Sequence, residues 1–127
     1  MAKDGLTYVL ADNSGKAFAL GMKYYTGSGA EQDYDKAFDC FMKAAAAGNA
    51  EAMHKLGVMH FNGEGTAQDK TVAAKWYAKA ADAGWAGSLY NLGMMYLNGD
   101  GVPQDKAKAE DLMKKGALMA SGEKNAK

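Results

Sequence analysis

The feature that most constrains this chain is a repeat, because identical residues recur every 36 positions. Nine positions of the 36-residue unit hold the same residue in three copies, without a gap. In the first copy they are Leu20, Gly21, Gly27, Gly29, Gln32, Asp33, Ala37, Lys43 and Ala45. A unit of this length cannot bury its apolar face alone, so neighbouring copies must stack to form a continuous core.

The spacing divides the chain into three repeats within a single domain, 1–127. We predict repeats over 14–49, 50–85 and 86–120. Residues 1–13 match the repeat weakly and are expected to form an N-terminal cap or the remnant of a preceding helix. Residues 121–127 are polar and are expected to form a frayed tail.

Each repeat is predicted to contain two helices, termed helix A and helix B. Apolar residues at i, i+3, i+4 and i+7 predict helix A over 14–26, 50–62 and 86–98. Gly27 and its equivalents are expected to end helix A, with Gly29 continuing the turn. Asp33 and its equivalents are expected to cap helix B. The mid-helix Gly21 predicts close contact with helix B opposite the small Ala37.

Two stretches of this repeat resemble a known family. Residues 92–105 read Leu-Gly-Met-Met-Tyr-Leu-Asn-Gly-Asp-Gly-Val-Pro-Gln-Asp, and residues 74–84 read Ala-Lys-Trp-Tyr-Ala-Lys-Ala-Ala-Asp-Ala-Gly. Both resemble the signature of the Sel-one-like repeat (SLR) family, a branch of the tetratricopeptide-like solenoids. The resemblance covers about residues 14–120. It implies an all-α fold, an α-solenoid of three stacked helix–turn–helix repeats. Members of the family are typically adaptors or scaffolds, many of them bacterial.

Charge and cysteine content narrow the possible partners. The 15 Lys and Arg residues balance 15 Asp and Glu residues, which argues against nucleic acid as the partner. No apolar run is long enough to span a membrane. Cys40 is the single cysteine, so no intrachain disulfide can form, and properties of a cysteine-paired branch of the family do not transfer. The compartment stays open: cytoplasmic as written, or periplasmic or secreted if a signal peptide was removed.

The side chains that could act in catalysis or metal binding have simpler structural interpretations. Cys40 lies on the buried stripe of helix B beside Phe41 and is expected to be inert packing. Glu51 and His54 are expected to form a surface pair. His54 and His60 lie about 240° apart around the helix and cannot share a metal ion. The sequence therefore predicts no enzyme, no cofactor and no metal site.

One face of helix A is instead predicted to bind another protein or peptide. In stacked helical pairs, helices A line the concave groove. The predicted contact residues are His54, Lys55, Met59, Tyr90, Asn91 and Met95. Lys55 and Asn91 are expected to hold a carboxylate or backbone groups, while Met59 and Met95 pack apolar side chains of the ligand. Lys79 and Lys115 of helix B are expected to face solvent on the other side.

Two alternatives remain open at this stage. The first is self-assembly through the C-terminal end, which carries Leu112, Met113, Leu118 and Met119. Since three repeats are near the minimum for a stable solenoid, we expect a monomer or weak homodimer. The second, less favoured, is a hydrolase-type enzyme.

Overall fold

The computed structural model describes residues 15–122, and within that range it contains six helices and no strand. They are α1 (15–26), α2 (Tyr34–Ala46), α3 (Ala50–Asn62), α4 (Lys70–Asp82), α5 (Gly87–Asn98) and α6 (Lys106–Ser121). Helices α1, α3 and α5 are the predicted helices A, and α2, α4 and α6 are the predicted helices B. The all-α arrangement of three helix pairs is therefore confirmed. The predicted cap over 1–13 lies outside the described residues.

The invariant aspartate and glutamine secure the two ends of the turn in each repeat. The carboxylate of Asp33 accepts a hydrogen bond from the backbone N–H of Lys36 at 3.1 Å, as the helix-cap prediction requires. The Gln32 side chain donates to the backbone carbonyl of Tyr25, near the end of α1, at 2.9 Å. The other two repeats have the same pairs, Asp69–Val72, Asp105–Lys108, Gln68–Phe61 and Gln104–Leu97. Identical bonds therefore give identical turns.

The glycine inside each helix A lies directly against a large side chain of helix B. A Cβ atom on Gly57 would lie 2.7 Å from the ring of Tyr77, and one on Gly21 would lie 2.7 Å from the ring of Phe41. The predicted close contact is thus confirmed. In the first two repeats the nearest atoms belong to an aromatic ring one turn beyond Ala37 and its equivalent Ala73. In the third repeat they belong to Met113 and to the backbone of Ala109, the predicted neighbour, at 3.2 Å.

The second glycine of each turn has a role that the sequence did not reveal, since it makes a contact between repeats. A Cβ on Gly65 would lie 2.5 Å from the carbonyl oxygen of Tyr34, at the start of helix B of the preceding repeat. Gly101 approaches Lys70 in the same way, at 2.7 Å. For Gly29 in the first repeat, the nearest atom is 3.5 Å away in the flexible side chain of Lys23.

The last helix is longer than its equivalents. Helix α6 has 16 residues, whereas α2 and α4 have 13 each. The equivalents Gly48 and Gly84 have positive φ and lie in the turns after α2 and α4, but Ala120 lets α6 continue to Ser121. Helix α6 thus includes Ser121, the first residue of the predicted tail, and residues 123–127 lie outside the described range.

A paired substitution tests the contact between repeats. Gly29, Gly65 and Gly101 all have positive φ, so alanine at any of them has a similar backbone cost of about 1–2 kcal/mol. Gly65→Ala must also displace the Tyr34 carbonyl, and we expect it to lower the free energy of unfolding by about 3–4 kcal/mol in total. Urea denaturation of Gly29→Ala and Gly65→Ala measures the difference. Equal losses would show that no tight contact exists at Gly65.

Candidate functional site

The candidate site is an open concavity between the helices A of repeats two and three, here termed the α3–α5 groove. Its volume is about 310 Å³. Its lining residues are Val58, Phe61, Asn62, Tyr77, Asn91, Met94, Met95, Asn98 and Asp100. Tyr77 and Met95 are each 3 % exposed and form its floor.

Helical periodicity explains why these residues share one surface. On α5 the lining residues are spaced i, i+3, i+4 and i+7 from Asn91, so all lie on one face. On α3 the lining residues Val58, Phe61 and Asn62 have the same kind of spacing. Stacking of the repeats brings the two faces together, with the ring of Tyr77 from α4 between them.

The polar groups of the groove are mainly uncharged. Asn62, Asn91 and Asn98 contribute three carboxamides. Burial raises the pKa of the Tyr77 phenol, and a hydrogen bond with the Asn91 side chain partly offsets that rise. Tyr77 therefore stays neutral at physiological pH, and the centre of the groove presents amide and hydroxyl groups next to apolar carbon.

One carboxylate lies at the edge of the groove. Asp100 accepts a hydrogen bond from the Lys70 ammonium at 3.2 Å. The Lys70 Nζ atom also lies 4.9 Å from the ring centroid of Phe61. Because the two side chains are 35 % and 42 % exposed, this ion pair contributes little to stability, and Asp100 remains accessible from solvent.

The structure brings only part of the predicted contact set to this groove. Asn91 and Met95 line it. Tyr90 is 40 % exposed but is not one of the lining residues. Lys55 does not line it either, because its Nζ lies 5.5 Å from the ring centroid of Tyr25 in repeat one. The expected carboxylate clamp of Lys55 with Asn91 is therefore not assembled in the groove.

The predicted use of two methionines as ligand-packing surface needs correction. Met59 is 0 % exposed and belongs to the core that contains Phe41 and Leu56. It lies three residues after Leu56, so it points to the buried face of α3 rather than to the opposite one. Met95 has the same relation to Leu92 and reaches the groove only as part of its floor.

His54 joins two repeats. Its Nδ1 atom forms a 2.7 Å hydrogen bond with the hydroxyl of Ser88, which is fully buried in α5. Its ring centroid lies 5.2 Å from that of Tyr77. Burial first, and then the charge of Lys55, lower the pKa of His54 to about 4. The predicted surface pair with Glu51 was therefore wrong, because the imidazole is half-buried and bonded to the next repeat.

Sequence reasoning missed several residues of the groove. The sequence assigns Phe61, Asn62, Asn98 and Asp100 only to the end of helix A and the turn that follows. Asn62 and Asn98 are equivalent positions, and both precede a helix-ending glycine. A carboxamide that recurs at the last position of helix A could have indicated a binding residue. The surface that this side chain faces, however, depends on how the repeats stack.

Within residues 15–122, no group of three or more His, Cys, Asp or Glu side chains is placed to hold a metal ion. No helix in the same range combines the length and apolar character needed to cross a membrane.

Comparison with known proteins agrees with this architecture. The family model described as Sel1 repeat matches residues 17–49, 50–85 and 86–121. The chain belongs to the Sel1 repeat family. The resemblance inferred from residues 74–84 and 92–105 is confirmed, as is the α-solenoid fold. No curated protein sequence matches this Sel1 repeat chain.

Solved structures include similar Sel1 repeat proteins. A protective antigen of uropathogenic Escherichia coli strains, displaying an SLR fold, is 36 % identical with a TM-score of 0.79, over 82 % of this chain and 22 % of that one. A Sel1 repeat protein from Oxalobacter formigenes is 28 % identical with a TM-score of 0.79, over 84 % of this chain and 43 % of that one.

A third structure supports the fold alone. Helicobacter pylori cysteine rich protein B is 22 % identical with a TM-score of 0.69, over 92 % of this chain and 86 % of that one. The present chain spans about a fifth of the Escherichia coli antigen and less than half of the Oxalobacter protein.

The His54 environment predicts a pH-dependent stability. The unfolded histidine takes up a proton near pH 6.5, and the folded one does so only near pH 4. Between these values the unfolded state binds more protons, so stability falls as the pH falls. Discounted for partial exposure, we expect His54 to account for about 1–2 kcal/mol of that loss.

The measurement is urea denaturation at several pH values from about 7 to about 4. His54→Gln should lose less stability over this interval than the wild type. Burial also lowers the pKa of His60, so the comparison is made in a His60→Tyr background, which removes that second contribution and leaves His54 in place; tyrosine occupies this position in the other two repeats. Parallel curves for the wild type and His54→Gln would refute the assignment.

Proposed function

We propose that this Sel1 repeat chain is a protein-interaction module that holds an extended segment of a partner protein in the α3–α5 groove. Sel1 repeat solenoids are commonly protein-interaction scaffolds, and the family is typically non-enzymatic. The observation that carries the proposal is the groove itself, in which three carboxamides surround an apolar concavity.

Carboxamides suit the recognition of a peptide backbone. Each one offers an N–H donor and a carbonyl acceptor, the same pair of groups that a peptide unit presents. Asn91 and Asn98 lie seven residues apart on one face of α5, which corresponds to about 10.5 Å along the helix. An extended chain advances about 3.3 Å per residue, so it can meet both amides with residues three positions apart.

The apolar part of the groove supplies contact area for side chains of the ligand. Met94 is 47 % exposed, and Val58 and Phe61 are half-buried, so all three can lose water-accessible surface on binding. Methionine adapts its shape to different ligands because its side chain is unbranched and flexible. The groove thus combines amide groups that orient a backbone with apolar groups that favour its burial.

Peptide selection tests the proposal. Random heptapeptides displayed on phage are selected on the immobilised protein, and the affinities of the selected peptides are then measured by isothermal titration calorimetry. We expect Asn91→Ala and Met94→Ala to weaken binding by about 1–2 kcal/mol each, as central contacts do. The matched controls are Tyr90→Ala, on the same helix outside the groove, and Lys115→Ala on α6; both should be nearly neutral.

Two results would contradict the proposal. One is a failure to select any peptide. The other is a set of selected peptides whose affinities are unchanged by Asn91→Ala and Met94→Ala, because such peptides would bind another surface.

A further inference from the structure

The α3–α5 groove has an internal counterpart one repeat earlier, here termed the α1–α3 junction. Subtracting 36 from each lining position gives the equivalent residues. They are Met22, Tyr25, Thr26, Phe41, Lys55, Val58, Met59, Asn62 and Glu64. Because the backbone turns are alike in both places, differences between the two sites arise from their side chains.

At the α1–α3 junction the chain fills the equivalent space with its own side chains. The hydroxyl of Tyr25 donates to the Glu64 carboxylate at 2.8 Å. Burial and the neighbouring Glu64 raise the pKa of Tyr25 well above its ordinary value, so the phenol stays a donor. The Lys55 ammonium lies 5.5 Å from the centroid of the same ring. The hydrogen bond between Tyr25 and Glu64, with the Lys55 side chain over the same ring, therefore closes this junction.

Three replacements leave the α3–α5 groove open. Phe61 replaces Tyr25 and lacks the hydroxyl, and Asn91 replaces Lys55 and lacks the long cationic side chain. Asp100 replaces Glu64, so the carboxylate is kept while its tyrosine donor is lost. A carboxylate has two acceptor oxygens and about four acceptor sites, so Asp100 can accept a further donor beside Lys70.

The Lys70 ammonium lies beside Asp100 and 4.9 Å from the Phe61 ring centroid, but Asn91 leaves the position of Lys55 without a long side chain, and this difference indicates what the groove can accept. We propose that the α3–α5 groove selects partner segments that carry a lysine or arginine, whose cation reaches Asp100 while its aliphatic stem lies over Phe61 and Val58. Long cationic side chains bury their stems on apolar surface in this way and keep their charge at a polar edge. This inference rests on the proposed function.

The charges in the groove disfavour acidic segments. Of the described residues that line it, none is Lys, Arg or His. Lys55, which could have supplied a cation, lies over Tyr25 in the preceding junction. Lys70 is paired with Asp100. A carboxylate of the ligand would therefore be repelled by Asp100, and Lys70 could bind it only by giving up its ion pair with Asp100.

Peptides with defined central residues test the selectivity. The probes are end-blocked heptapeptide libraries with leucine at two randomly placed positions and a fixed central residue, either lysine, norleucine or glutamate. Norleucine keeps the aliphatic stem and lacks the ammonium group. By fluorescence polarisation we expect the lysine library to bind about tenfold more tightly than the norleucine library, and the glutamate library to bind most weakly.

Variants of the carboxylate and its partner separate a direct role from a structural one. Asp100→Asn should abolish the preference of about tenfold for the lysine library over the norleucine library. Asp111→Asn, which changes an exposed carboxylate on α6, should leave that preference intact. Lys70→Gln breaks the same ion pair but leaves Asp100 in place, so affinity for the lysine library should stay equal or rise. If Asp100 acted only through its pair with Lys70, both substitutions would weaken binding equally.

A third variant reproduces the closed junction. The double substitution Phe61→Tyr with Asn91→Lys recreates the tyrosine and lysine of the α1–α3 junction. We expect it to fold, as judged by an unchanged or higher melting temperature, and to lose binding of the lysine library.

The outcomes distinguish this inference from the proposed function. Equal binding of lysine and norleucine libraries, abolished by the double substitution, would overturn the lysine selectivity and leave the groove as the binding site. Binding of no library would overturn both, as would binding that the double substitution does not change.

Discussion

The close contact between successive repeats is the constraint on which the rest of this structure depends. The turn of one repeat lies against the first turn of helix B of the preceding repeat, and no side chain fits between them at Gly65 or Gly101. The same turns are held by Asp33, Gln32 and their equivalents at nearly constant distances. The stacking geometry therefore repeats, and it determines how far apart α3 and α5 lie.

Invariant and variable positions of the repeat have different roles. The invariant glycine, glutamine and aspartate positions define the backbone and are occupied identically at both junctions. Lining positions such as Tyr25 and Phe61, or Lys55 and Asn91, differ between the junctions and decide whether the space is closed or open. A single backbone thus supports two surfaces, and the binding properties arise from a few substitutions on a constant frame.

Membership of the Sel1 repeat family accounts for the backbone architecture of this chain but not for the side chains that line its groove. The Escherichia coli and Oxalobacter proteins share the architecture, but this chain spans only 22 % and 43 % of their lengths. His54 shows how local the details are, because the first and third repeats place Phe18 and Tyr90 at its position. Its bond to the buried Ser88 belongs to one junction of this chain.

The sequence by itself determined the helices, their caps and the stacked-pair architecture. These features depend on contacts close in sequence, such as Asp33 with the Lys36 N–H, or on periodicity that repeats three times. Helical spacing also indicated correctly that Gly21 makes a close contact. It could not identify Phe41 as the partner, because that depends on the relative axial position of two helices.

Only the tertiary structure decided which residues form the groove. Met59 and Lys55 were both assigned to an exposed face of α3, yet Met59 is buried and Lys55 lies over Tyr25. Asn62, Asn98 and Asp100 lie at helix ends and turns, where the local sequence pattern does not indicate which way a side chain points. The rotation of each repeat relative to the next sets which side chains meet across a junction. That rotation results from packing between residues of neighbouring repeats, such as Tyr34 and Gly65, so no local stretch of sequence encodes it alone.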